Sequence, residues 1–325
     1  MNSSAKGASS RRSISYIAYV FVATVLFSSM EIALKTIAGR FNALQLNFLR
    51  FFVGALFLLP FALRSMRKRG LRPGGGDWGF FALSGFTCVV LSMGLYQLAI
   101  EYGKASIVAV LFSCNPVFII PLAAVFLKER IRGFTIASLV ASVAGMVSIM
   151  DPFGPAKSAV GGAAGASIAL TLGSAAVFAV YGVMGKARGG RIGGLATTAF
   201  SFLFGSAELA ILIALSHAGP VAQSLRAAGL GGFAEIPIVK GLDLEILPVF
   251  AYISFCVTGM GYAAYFMAIE TSSAAAASIV FYVKPALAPL LAMAVLGETI
   301  APTTTLGIVL IAVGSTISFL GARRR

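Results

Sequence analysis

Five ionisable side chains stand inside runs that are otherwise apolar: Glu31 and Lys35 in VLFSSMEIALK, Arg50 in NFLRFFVGALF, Glu208 in GSAELAILIAL and Lys284 in FYVKPALAPLL. Charges in such surroundings are expensive, which limits what they can do. A cation binds an anion, a carboxylate binds or passes a proton, or the two neutralise each other.

Lys284 sits mid-run, too far from either end to snorkel, directly before Pro285. One reading has it facing a site, where it meets a substrate carboxylate or phosphate. The other has it locked in a structural ion pair with Glu31 or Glu208. Both hold if a carboxylate keeps the lysine until substrate displaces it, an exchange that would couple binding to a conformational step.

Glu31 and Lys35, spaced i, i+4, share a helical face and can pair. Glu31, the deeper of the two, is the leading carboxylate for proton coupling, and Glu208 is the second. Arg50 is expected to hold carbonyls or a carboxylate, Glu208 among them, rather than substrate. Tyr96, Gln97, Tyr262, Tyr265, Phe281 and Tyr282 supply aromatic bodies and polar tips suited to an amphipathic organic solute. The alternative for any one ring is a place facing lipid or the interface.

The elements that must carry these residues follow from composition. The chain has 325 residues, 58% hydrophobic and 11% charged, with a mean hydropathy of +0.94. That is an integral membrane protein. At roughly 20 apolar residues per span, the sequence predicts ten helices near residues 14–38, 45–64, 79–99, 104–126, 133–150, 166–186, 193–216, 246–269, 273–296 and 301–320. The first is too long for a signal-peptide core and carries Glu31 and Lys35, so it reads as an uncleaved span. Cys88, Cys114 and Cys256 lack the spacing of a disulfide or zinc site and read as small core residues.

The net charge of +14 is concentrated in alternate loops. Arg64, Arg67, Lys68, Arg69, Arg72, Lys128, Arg130, Arg132, Lys186, Arg188 and Arg191 fall on the same side as both termini. This bias predicts cytoplasmic termini in a prokaryotic inner membrane and argues against a nucleic-acid partner.

Residues 96–131 align without a gap to residues 265–300. Tyr96 matches Tyr265, Asn115 matches Lys284, Pro116 matches Pro285 and Glu129 matches Glu298; further on, Gly145 matches Gly314. A looser match joins Phe27, Lys35 and Gly54 to Phe178, Lys186 and Gly205. The chain therefore reads as two five-helix repeats, 14–150 and 166–320, joined by a loop over 151–165. An odd number of helices inverts the second repeat, and the loops record it: LKERIRG after the fourth helix is basic, LGETIAP after the ninth is not. Secondary transporters use such repeats, with sites near the midplane. Pro116 and Pro285 lack amide hydrogens and free the carbonyls of Phe112 and Phe281. They predict matched helix breaks lining that site, with Asn115 offering hydrogen bonds opposite Lys284.

On these residues, the VLFSSMEIALK helix and the repeat ends AVFLKERI and AVLGETI, the chain resembles the EamA-type transporters of the drug/metabolite transporter superfamily over about residues 14–320. The resemblance implies helices one to four and six to nine around a central cavity, with five and ten peripheral. It also implies export of a small metabolite.

No phosphate-binding loop, H-E-x-x-H or G-x-S-x-G occurs, and the single histidine, His217, lies in a loop. No enzyme activity, cofactor or metal is expected. The expected partners are a small-molecule substrate and the lipid bilayer; homo-oligomerisation is left open. Within transport, an amino acid or related carboxylate competes with a sugar phosphate or nucleotide that Lys284 would hold by its phosphate. A scaffold or receptor is the rival of another class, and it would have no use for matched midplane interruptions.

Overall fold

A computed structural model describes residues 2–128, 131, 133–150, 162–271, 277 and 280–323. Its elements are helical: α1 Asn2–Thr36, α2 Ala43–Lys68, α3 Gly75–Tyr102, α4 Ala105–Phe126, α5 Gly133–Met150, α6 Gly162–Ile192, α7 Gly194–Ser216, α8 Leu247–Thr271, α9 Val280–Leu296 and α10 Pro302–Arg323. Among the described residues, seven helices are long and apolar enough to cross a membrane, and three shorter apolar stretches lie in α5, α9 and α10. In a solvent that offers backbone groups no hydrogen bonds, closing those bonds within each segment is what makes the chain helical.

The helices begin and stop where local chemistry allows. Asn42 caps α2 by accepting from Leu44 N at 3.0 Å, while Gln45 Oε1 accepts from Asn42 N at 3.2 Å. Glu298, at the far end of α9, caps α4 instead of its own helix. Its carboxylate accepts from Ala105 N at 2.7 Å, Ser106 N at 3.0 Å and Ser106 Oγ at 2.5 Å. Its repeat mate Glu129 lies outside the described residues. The segment after α7 folds back through a short helix, Gly219–Ala227, and then covers the α1–α2 turn. There Gln45 Nε2 donates to Lys240 O at 2.7 Å and Asn42 Nδ2 to Gly232 O at 2.7 Å.

Repeat symmetry recurs in the packing. A Cβ on Gly145 of α5 would stand 2.7 Å from Gly307 O, and one on Gly314 of α10 would stand 2.8 Å from Ser138 O. Gly145 and Gly314 are repeat mates, so the α5–α10 seam is nearly self-complementary. Lipid supplies no hydrophobic drive between helices, and small residues let the two backbones touch. The same relation governs the inner seams: Gly54 of α2 approaches Ser254 of α8, while Gly205 of α7 approaches Gly85 of α3. Beside these contacts, α3 and α8 each widen into a π-helical stretch, Phe86–Ser92 and Tyr252–Gly261, at matching repeat positions. Such widenings recur at functional sites.

The proline expectation holds in one half only. In α4 the helix ends at Phe112 and resumes at Asn115, with Pro116 in the first turn of the new segment, where a missing amide hydrogen costs nothing. In α9 the helix runs through both Pro285 and Pro289. Pro285 therefore does not break its helix, and the two interruptions are not matched.

Candidate functional site

The centre of the fold is an aromatic cluster drawn from both halves. Phe27 and Tyr262 lie 4.9 Å apart between centroids, Phe51 and Phe202 4.6 Å, Tyr96 and Phe112 4.7 Å, and Tyr265 and Phe281 5.6 Å. Phe178 joins the groups, 5.4 Å from Phe112 and 6.1 Å from Tyr265. All of these rings are buried, so the centre is closed to both faces in this conformation.

Three helices bring the charged groups into this cluster. Glu31 comes from α1, Tyr96 from α3 and Lys284 from α9, each fully buried. The Lys284 ammonium forms an ion pair with Glu31 Oε1, and the Tyr96 hydroxyl donates to the same oxygen. Lys284 Nζ also stands over the Phe112 ring, 5.2 Å from its centroid, and 5.9 Å from that of Tyr96. Glu31 Oε2 has no hydrogen-bond partner among the described residues. One carboxylate oxygen therefore carries two contacts and the other none, although buried polar atoms are normally satisfied.

Arg50 is buried one helix away, on α2. Its Nη2 and Nε donate to Asn47 Oδ1 at 2.9 and 3.2 Å, and its guanidinium lies 4.6 Å from the Phe51 centroid. Asn47 is fixed in turn by donating to Val89 O, in the π-helical stretch of α3, at 2.6 Å. Arg50 Nη1 reaches Met30 Sδ, the residue before Glu31, at 3.9 Å. No carboxylate pairs with Arg50 among the described residues. Among the described residues the buried centre thus holds two basic side chains, Arg50 and Lys284, against one carboxylate, Glu31. The sequence identified each of these charges, but not this imbalance.

The other predicted residues divide. Asn115 is buried beside the α4 break, and its Nδ2 donates to Ala175 O of α6 at 2.8 Å, while its Oδ1 is unpartnered. Tyr265, Gln97 and Phe281 are buried in the centre, the Tyr265 hydroxyl and Gln97 Oε1 without partners among the described residues. Tyr282 lies in α9, and its side chain is outside the described residues. Lys35 does not pair with Glu31. It turns to the end of α3, donating to Ile100 O and Gly103 O, both at 2.8 Å, because terminal helix carbonyls are unsatisfied and attract a cation. Nor does Glu208 meet Arg50: it is half-buried on α7, and its Oε2 has no partner among the described residues. The three cysteines are free; Cys88 and Cys114 are buried and Cys256 partly so.

The two ends of the bundle are tied differently. At the end where α3 begins, Arg69 Nη1 meets Glu270 Oε1 at 2.7 Å, Glu270 Oε2 accepts from Gly194 N at 2.7 Å, and Asp77 pairs with Arg188 and Arg191. At the end where α3 finishes, the ties are Lys35, Glu298 and Lys104, whose Nζ donates to Thr299 O at 3.0 Å. Sequence reasoning did not single out Glu270 or Asp77, since a carboxylate near a helix end is unremarkable until its partners are known.

A multi-pass helical protein of two related halves, with a closed charged centre and separately tied ends, is built as a membrane transporter. The profile of the EamA-like transporter family matches residues 14–150 and 165–320. The chain belongs to that family. It is similar to an uncharacterized transporter of Clostridium kluyveri, 36% identical over 303 residues that cover 93% of this chain and 92% of the other. It is also similar to a probable terminal-alkyne amino-acid exporter of Streptantibioticus cattleyicolor, 26% identical over 73% of this chain and 71% of that one. A solved structure at 19% identity shares the fold, with a TM-score of 0.66 over 95% of this chain and 99% of that one.

Proposed function

We propose that the protein is a secondary, alternating-access exporter of a small organic metabolite with an anionic group, most simply an amino acid or related carboxylate, at the cytoplasmic membrane with both termini inside. The observation that carries this reading is the buried excess of one cation among the described residues: Lys284 and Arg50 are fully buried, and the fully buried carboxylate beside them is Glu31. A substrate carboxylate entering there pairs with Lys284 and displaces Glu31 from it. The freed Glu31 then becomes available to a proton, which supplies a route to coupling. The similarity to a probable amino-acid exporter supports the substrate class and the direction.

Reconstitution in liposomes with labelled amino acids, sugar phosphates and cationic drugs tests this. Amino-acid flux driven by a proton gradient is expected, with loss of that flux in Lys284→Met. Flux of cationic drugs alone would overturn the anionic reading. Flux of sugar phosphates alone would move the substrate class to phosphate esters. Amino-acid flux indifferent to the proton gradient would remove Glu31 from coupling.

A further inference from the structure

The repeat alignment matches the charged centre to a second constellation. Tyr96 corresponds to Tyr265 and Lys284 to Asn115, while the looser match that joins Phe27 to Phe178 and Lys35 to Lys186 carries Glu31 onto Gly182. In the first constellation the Tyr96 hydroxyl and the Lys284 ammonium both engage Glu31. In the second, Gly182 brings no carboxylate. The Tyr265 hydroxyl and Asn115 Oδ1 are then left without partners among the described residues, though both side chains are fully buried. Lys284 Nζ also lacks a hydrogen bond but has an ion pair with Glu31, whereas these two buried atoms, at the places of Tyr96 and Lys284, have no such charge partner.

Both residues pack on the same stretch of α6. Asn115 is anchored on Ala175 O of α6. Phe178, three residues further along α6, stacks near Tyr265 and packs on Phe112, which precedes Asn115 by three residues. Because Ala175 O can only accept, the Asn115 amide nitrogen must face it, and the free atom is the acceptor Oδ1. The tyrosine hydroxyl can accept as well. Ring faces around them favour a cation. Where its repeat mate carries a positive charge, this half presents a hydrogen-bond acceptor.

We propose that Asn115 Oδ1 and the Tyr265 hydroxyl form an uncharged acceptor subsite for the ammonium group of an amino-acid substrate, with Lys284 holding its carboxylate. This inference rests on the carboxylate reading of Lys284 given above. The two constellations then read the two ends of one zwitterion, and the asymmetry between the repeats has a function.

The test compares leucine and phenylalanine with their des-amino counterparts, 4-methylpentanoate and 3-phenylpropanoate, by calorimetric titration of the full-length protein in lipid nanodiscs. The amino acids are expected to bind at least about tenfold more tightly, since losing the donor leaves the acceptors unpaired. Tyr265→Phe is expected to erase most of that ratio while leaving des-amino affinities within about twofold. Asn115→Asp is expected to widen the ratio by adding an anion for the ammonium. Thermal unfolding of each variant is measured alongside, so that a fall in both ligand classes together with stability is recognised as misfolding and replaced by the Asn115→Asp result. Equal wild-type affinity for amino acids and des-amino acids overturns the subsite while sparing the carboxylate reading. Failure of both classes to bind the wild type overturns the carboxylate reading, and the subsite with it.

Discussion

Lys284 and Glu31 form the one ion pair among the described residues in which both side chains are fully buried. The pair joins α9 to α1, helices from different halves, so a contact that holds the closed centre together also spans the boundary between the repeats. Other ion pairs have at least one exposed partner and lie near helix ends.

Removing one partner of this pair strands the other. Lys284→Met is expected to destabilise the folded protein by about 3–5 kcal/mol, because Glu31 is left as an uncompensated buried charge. Lys284→Met with Glu31→Gln is expected to recover most of that loss without recovering transport. Thermal unfolding in detergent, paired with liposome flux, separates the two effects; a double variant that transports normally would make the pair purely structural.

The hydroxyl of Tyr96 is a smaller lever on the same oxygen. Tyr96→Phe deletes a hydrogen bond to a charged group, worth about 1.5–3 kcal/mol. The ring and its packing on Phe112 remain. Lower stability is expected, along with a weaker hold of Glu31 beside Lys284 and therefore easier displacement by substrate, read as a decrease in apparent KM. An increase in KM would show that the hydroxyl contacts substrate directly.

At the α5–α10 seam, Gly145→Leu is expected to cost about 1–3 kcal/mol or more. Even its Cβ would meet Ile311 Cγ1 at 2.6 Å. Gly133→Leu places a side chain in open space at the start of the same helix and serves as the control. Melting temperatures of the two variants check the difference.

Glu298 and Glu270 tie opposite ends of the bundle. Glu298→Ala is expected to remove the cap of α4 at a cost of about 1 kcal/mol and to favour opening at that end. Glu270→Ala, by loosening Arg69 and Gly194, is expected to favour opening at the other. Alkylation of a cysteine introduced at Ala105, a buried side chain at that end that takes no part in the tie, should rise with the first substitution and fall with the second. A rise with both would show that the two ends are not coupled.

How much was legible in advance can be traced residue by residue. The membrane class and the two-repeat reading follow from hydropathy and from matches such as Tyr96 with Tyr265, because a bilayer imposes length and composition on every span and a repeat preserves spacing; against the ten spans expected, seven helices among the described residues are long and apolar enough to cross. Lys284, Glu31 and Arg50 were legible as anomalies, since charge in an apolar run is costly wherever it lies. Their pairing was legible only as alternatives: Lys284 could take Glu31 or Glu208, and Glu31 could take Lys284 or Lys35. Spacing along α1 joined Glu31 to Lys35, yet Lys35 turns to the carbonyls of Ile100 and Gly103, and Glu31 takes its cation from α9. Pro285 likewise signalled a break by chemistry that Pro116 realises and α9 absorbs. The sequence by itself determined which helices form and which residues bear charge, because solvent and local hydrogen bonding act along the chain. Only the tertiary structure decided which charges neutralise each other, since that depends on helices far apart in sequence packing to within a side chain's length.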